Sequence, residues 1–197
     1  MKSNRKLCEI RGNDLRKPRL SRNIFEPNDR PGKLHEKQMK KIRLSTEIEE
    51  LGPEELDHVE QALLSRAQTI SKIAYSPYSG FHVGAAVLLE NGEILQSSNQ
   101  ENVSFPTGVC AERLVLGYAG ANYPDKAPVM LAIVAQRAGE ETWAGVSPCG
   151  VCRQTINEVE NRFAKPITML ILCANGNVMR IKGISELLPL KFDDLNS

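Results

Sequence analysis

Pro148-Cys149-Gly150-Val151-Cys152-Arg153-Gln154, taken with Cys110-Ala111-Glu112-Arg113, decides how the rest of the chain must be arranged. The two stretches offer three thiols and one carboxylate. Cys149 and Cys152 are three apart, so on one helical turn both sulfurs lie on the same face. Pro148 suits the first position of a helix, where its missing N–H costs nothing. Cys110 precedes Leu114-Val115-Leu116-Gly117-Tyr118-Ala119, an apolar-rich run that predicts a second helix. All three thiols then stand at helix N-termini, where the positive end of the dipole favours thiolate.

Three thiolates can hold a zinc ion and leave its fourth, tetrahedral position to water. Glu112 follows Cys110 by two residues, so it can face that water without ligating the metal. The combination suits hydrolysis at a carbon that bears an amine. Three thiolates on Zn²⁺ leave one net negative charge. Arg113 and Arg153 each follow a ligand directly and are expected to offset that charge by hydrogen bonding to sulfur. A zinc set of His or Cys plus two Cys, with a non-ligating Glu, is the signature of zinc deaminases. The alternative is a closed structural zinc site, with Cys173, Cys8 or a His as fourth ligand; it gives Glu112 no role.

A wider resemblance surrounds the two zinc blocks. Tyr75-Ser76-Pro77-Tyr78-Ser79-Gly80-Phe81-His82-Val83-Gly84-Ala85-Ala86 and Asn99-Gln100-Glu101-Asn102 precede them, and Glu186-Leu187-Leu188-Pro189 follows. In order and separation these segments, from about Ile70 to Phe192, resemble the small cytidine deaminases of pyrimidine salvage. Cys rather than His as first ligand resembles the homotetrameric branch. The resemblance implies a three-layer α/β/α cytidine-deaminase-like fold with a mixed central sheet, a homotetramer, and one Zn²⁺ per subunit. It implies that Phe81 lies against the pyrimidine ring, that Asn99 and Glu101 hold the sugar 3′-hydroxyl, and that Ala111 is a substrate contact. Phe105 is implied to reach a neighbouring subunit's site, and Phe192 to enter one. The implied reaction converts cytidine and deoxycytidine to uridine and deoxyuridine with release of ammonia. Glu112 acts first as base and then as acid, which general acid–base catalysis allows.

The flanking sequence supplies the scaffold. From Pro53, Leu56, Val59, Leu63, Ala67 and Ile70 recur at three and four, the mark of a helix with one buried face. Glu54, Glu55 and Asp57 load its first turn, where the dipole favours negative charge. His82 to Leu89 reads as a strand, Asn91-Gly92 as a hairpin turn, and Glu93 to Ser97 as the antiparallel return. The small residues Gly84, Ala85 and Ala86 predict close packing over that strand, which the resemblance assigns to the helix at the zinc site. Asn99 and Glu101, at i and i+2 on an extended chain, project to one side and can grip hydroxyls; the alternative is a solvated loop. Val129 to Ala135 and Ile167 to Cys173 are apolar runs suited to buried strands. Val178 to Ile181 is a short partner of the second run, and a helix is expected from Cys149 to about Asn161. Residues 136–147 read as a loop containing Trp143, to which no function is assigned.

The net charge of +1 hides a split. Residues 1–43 carry 14 Lys/Arg against 5 Asp/Glu, a net of +9, and residues 44–197 carry 11 against 19, a net of −8. Domain organisation follows: a basic, disordered extension over 1–43 and a catalytic domain over 44–197. Met39-Lys40-Lys41 looks like a natural start, so residues 1–38 are expected to be dispensable. No apolar run approaches the ~20 residues that span a bilayer, so a membrane partner is not expected. Five cysteines, three committed to metal, are no disulfide framework and suit a reducing, cytoplasmic setting. The expected partner is a small-molecule nucleoside. Other readings are a different amino-pyrimidine substrate, such as blasticidin S or a cytosine in nucleic acid, and a structural-zinc interaction module. The acidic body disfavours a polyanion, although the basic extension leaves room for nucleic acid.

Overall fold

The structure, a computed structural model, describes residues 40–193. The expectations for the extension therefore fall almost wholly outside the described residues. Residues 43–193 build a six-stranded mixed sheet with helices on both faces. The strands are β1 (Glu49–Leu51), β2 (Phe81–Leu89), β3 (Ile94–Ser98), β4 (Pro128–Arg137), β5 (Thr168–Leu172) and β6 (Val178–Lys182). The helices are α1 (His58–Ser71), α2 (Ala111–Asn122) and α3 (Gly150–Phe163). Strand order is β1-β6-β5-β4-β2-β3. Only β4 and β5 run parallel, because α3 carries the chain across between them; the other neighbours are antiparallel.

Strand alternation splits the core into two layers. On one face Ala85, Val87, Leu131, Ile133, Met169 and Ile171 meet Ala111, Val115, Leu116 and Ala119 of α2 and Ile156 of α3. On the other face Ala86, Ala132, Val134, Leu170 and Leu172 meet Leu63, Leu64 and Ala67 of α1. The three-layer α/β/α arrangement expected from the sequence is the one present. The close packing over Gly84 differs from expectation. Gly84 shares its strand face with Ala86, so its neighbour is α1 and not the helix of the zinc site. A Cβ at Gly84 would collide with the carbonyl oxygen of Ala67 and stand 2.9 Å from Ser71 Cβ. Of the three small residues, Ala85 alone lies on the opposite face, toward α2.

Two further differences lie near the chain's start. The acidic run does not begin α1. Pro53–Glu55 is a 3-10 turn closed by Glu55 Oε2 accepting from Gly52 N at 2.7 Å. Leu56 is extended, and α1 starts only after Asp57. Asp57 Oδ1 accepts from Val59 N and Glu60 N, both at 2.8 Å, and Glu60 Oε2 accepts from Asp57 N at 3.1 Å. This reciprocal cap satisfies donors that a helix end leaves free. The second difference is β1, a three-residue edge strand of two glutamates and a leucine, too short for periodicity to reveal. Arg180 and Lys182 on β6 hold its Glu49 at 3.2 and 2.6 Å, and Arg180 also makes a bidentate pair with the buried Glu60 at 2.7 Å.

Asp57→Ala is expected to cost about 1 kcal/mol of stability near neutral pH. The Glu60 backbone N–H, above all, holds the Asp57 carboxyl below the ordinary carboxylate range. A depressed carboxylate stabilises the fold fully above its unfolded pKa, near ~4, and loses that contribution as pH falls through the folded value. Urea denaturation of both proteins should therefore show a gap at about pH 7 that shrinks toward about pH 3. A gap independent of pH would contradict the assignment.

Candidate active site

Two helix starts meet at the end of the sheet. Cys110 is the N-cap residue of α2 and Cys149 that of α3, both in extended backbone, and Cys152 lies in the first turn of α3. The three sulfurs all lie within 4.8 Å of one another, with Cys149 Sγ 3.5 Å from Cys152 Sγ. Tetrahedral zinc with Zn–S bonds of ~2.3 Å requires sulfurs about 3.8 Å apart, so the donor set fits the ion. The Cys110 thiol is pushed down to about 6, first by a hydrogen bond from Cys152, with the charge of Arg113 also contributing. Cys152 is pushed the other way, because it keeps the proton it shares with Cys110. Cys173, His58 and His82 do not belong to the cluster, and Cys173 Sγ points to Ile171 O instead. Among the described residues the metal site thus has three protein donors.

Glu112 occupies the first turn of α2 and is only 5% exposed. Burial pushes its carboxyl up, and its Oε2 finds no hydrogen-bond partner. An orphaned carboxylate oxygen in a buried site is costly unless something outside the protein chain satisfies it. Ser97 on β3 anchors this turn by donating to Ala111 O at 2.7 Å. The turn opens on a cavity of about 610 Å³ lined by Cys110, Glu112 and Cys149 together with Phe81, Asn99 and Glu101. That volume is within the range of small-molecule sites.

The expected substrate residues are brought together here, but several are already engaged. Asn99 Oδ1 accepts from Val83 N at 2.8 Å and its Nδ2 donates to Phe81 O at 2.9 Å. The amide orientation is thereby settled, with one hydrogen and one lone pair to spare. Glu101 accepts from Tyr78 N, Ser79 N and Ser79 Oγ at 2.9, 3.3 and 2.5 Å. The Ser79 hydroxyl, first among these, holds its carboxyl low. Ala111 does not line the cavity: its methyl is fully buried in the core. Phe105 stands at the cavity wall, 73% exposed, edge-on to Tyr78 with ring centroids 5.7 Å apart. Phe192, 63% exposed, lies away from this cavity. Gln154 and Asn157 of α3 pin its carbonyl at 3.0 and 3.2 Å.

The two arginines behave differently from each other. Arg113 acts on Cys110 through its charge. Arg153 bonds carbonyls rather than sulfur, donating Nε to Pro148 O at 2.9 Å and Nη1 to Leu187 O at 2.7 Å. Its first effect is to tie the start of α3 to the segment after β6. Sequence reasoning missed Arg137, which lines the cavity from the end of β4. No local pattern marks it, because only strand pairing sets it opposite Phe81. Trp143 packs instead against the core beneath α1, on the opposite face of the sheet.

Residues 57–165 match the family described as the cytidine and deoxycytidylate deaminase zinc-binding region. The cytidine deaminase of Halalkalibacterium halodurans is 35% identical over 140 residues, covering 69% of this chain and 97% of that protein. The blasticidin-S deaminase of Bacillus cereus is 31% identical over 113 residues, covering 56% and 76%. Among solved structures, the cytidine deaminase from Burkholderia pseudomallei superposes with a TM-score of 0.58 at 30% identity, covering 70% of this chain and all of that one.

Proposed function

The chain belongs to the cytidine and deoxycytidylate deaminase family, and from that premise we propose that Glu112 is its single proton carrier and that Cys110, Cys149 and Cys152 hold the zinc. The reaction is the hydrolytic deamination of cytidine to uridine. Deoxycytidine as a second substrate, and a place in pyrimidine salvage, belong to the proposal. The observation that carries it is the buried, unpartnered Glu112 Oε2 beside three converging sulfurs.

When bound, zinc supplies a Lewis acid that makes water a nucleophile near neutral pH. Glu112 accepts a proton from the attacking water and delivers it to N3 of the base, which leaves C4 electrophilic. The water oxygen bonds to C4, giving a tetrahedral centre. Glu112 then takes the proton of the new C4 hydroxyl and passes it to the exocyclic amine. The C4–N bond breaks, ammonia departs, and uridine keeps the proton at N3. Burial suits this shuttle, because a carboxyl pushed upward binds a proton readily between the two transfers. Phe81 lies against the pyrimidine, Ala111 contributes its backbone N–H, and the spare capacity of Asn99 and Glu101 receives the sugar hydroxyl. Arg113 offsets the negative charge of the trithiolate centre through its charge, while Arg153 fixes the start of α3 that carries two of the sulfurs.

The assembly is proposed as a homotetramer in which Phe105 and Phe192 reach neighbouring sites. Their exposure supports this, as do exposed Leu114, Tyr118 and Val151 on the outer faces of α2 and α3. The cytoplasm is the proposed location, supported by the four free cysteines among the described residues. No helix among those residues is long and apolar enough to cross a membrane. Residues 44–197 are proposed as the deaminase domain. One experiment covers these points: cytidine turnover followed by ultraviolet absorbance, with light scattering, on the full chain and on a chain starting at Met39. Equal turnover and a tetrameric mass in both are expected. Absence of ammonia release from the full chain refutes the enzyme reading, and loss on truncation alone refutes the dispensable extension.

A further inference from the structure

Glu112 is aimed by its backbone. Its Oε2 has no hydrogen-bond partner, so where the carboxylate stands depends on the first turn of α2. That turn is weakly capped. Cys110, its N-cap, makes no side-chain cap bond, and a helix start without one leaves backbone N–H groups unsatisfied. Cys110 O accepts from Leu114 N at 3.1 Å, and Val109 N donates to Gln100 O at 2.9 Å just before the helix. Among the described residues, only one side chain from outside α2 bonds the backbone of residues 110–114. Ser97 Oγ donates to Ala111 O at 2.7 Å, at the residue that joins Cys110 to Glu112.

Ser97 stands on a firm base. It belongs to β3 and pairs with Ala85 of β2, and Ala85 is fully buried against α2. Strand alternation puts Leu95 on the same face as Ser97 and Ile94 on the other. Ser97 is thus a hydroxyl on the sheet face that α2 covers, among apolar neighbours. Val115, Leu116 and Ala119 hold α2 to that face by packing. Apolar contact is non-directional, whereas a hydrogen bond weakens steeply with misalignment. The Ser97 bond therefore fixes the turn in a way that the core beneath it does not. A displacement of ~1 Å at a reacting group can cost as much as ~10² in rate.

We propose that Ser97 is a positioning residue for the deamination: its hydroxyl, by holding Ala111 O, sets the turn that points Glu112 at the substrate. This rests on the deaminase reading above and adds a residue to it. The test compares the wild type, Ser97→Ala and Ser97→Thr at a temperature well below the melting transition of each. Ser97→Ala should lower kcat on cytidine about tenfold and leave KM within about twofold, the pattern of an interaction felt only in the transition state. Ser97→Thr keeps the hydroxyl on a residue suited to a strand and should restore most of the rate. Zinc content should be the same in all three proteins. Binding gives a second readout, through a pyrimidine nucleoside that carries a hydroxyl on a tetrahedral C4. Its inhibition constant should rise about tenfold in Ser97→Ala, in step with kcat, while that of uridine stays at the wild-type value. A serine that only supports the fold would weaken both inhibitors alike and lower the melting temperature. That outcome, wild-type kcat or lost zinc in Ser97→Ala, or a Ser97→Thr rate no better than that of Ser97→Ala, overturns the proposal and leaves the deaminase reading intact. No ammonia from cytidine with the wild type overturns both.

Discussion

Glu112→Ala is expected to lose about 10³- to 10⁴-fold in kcat on cytidine, the upper range for removing a general acid–base group, while still binding one zinc per subunit. The three sulfurs are placed by the starts of α2 and α3, not by Glu112. Metal content measured by atomic absorption should therefore stay at the wild-type value. The fold should not suffer either. Glu112 is buried with one oxygen unpartnered and its carboxyl pushed up, which is an unfavourable arrangement for stability. Such strain persists at functional sites because the surrounding structure enforces it. Alanine there enlarges an existing cavity and removes a desolvated acid, so the melting temperature should hold or rise. Turnover within tenfold of wild type would remove Glu112 from the mechanism. A zinc-free variant would make it a structural residue instead.

Cys149→Ser is expected to abolish zinc retention and turnover together. Cys149 is exposed where Cys152 is wholly buried, so its replacement tests the metal site with little effect on packing. Outer-shell partners of a metal typically cost 10–100-fold in affinity when removed; one of three direct ligands should cost at least the larger of these. Activity should be absent after dialysis against a chelator and should not return on adding zinc at concentrations that restore the wild type. Cys173→Ser is the matched control. Its sulfur lies outside the cluster and faces Ile171 O at 3.7 Å, so zinc content and turnover should be unchanged. Full zinc in the Cys149 variant, or loss of zinc in the Cys173 variant, would mean that the ligand set is a different one.

The site and the fold were not equally legible in the sequence. The thiol spacing and the adjacent Glu112 were readable because a tetrahedral ion and a proton carrier demand particular residues at short separations. The β2–β3 hairpin was readable from Asn91-Gly92 between two apolar runs, and its observed pairing sets Ala86 opposite Gln96. Glu54 and Glu55 misled as to where α1 begins, because acidic residues suit a 3-10 turn as well as a helix start. β1 carries no periodic signal, since three residues are too few to show one and its Glu49 depends on Arg180 and Lys182 for its place. Gly84 marks a close approach in the sequence, but its neighbour is α1 rather than the helix of the zinc site. Which helix covers a strand face is not encoded in the strand.

What this sequence determines alone is chemical identity: three sulfurs, one acid at fixed spacing, and amphipathic runs whose periods specify helix or strand. These are local properties, set by residues a few positions apart. The tertiary structure decides which long-range pairs meet, and that changes what individual groups can do. It buries Glu112 without a partner, commits most of Asn99 and Glu101 to the backbone beside them, turns Arg153 toward carbonyls, and sets Arg137 over Phe81. Each depends on the register and order of strands far apart in the chain, which no local pattern specifies.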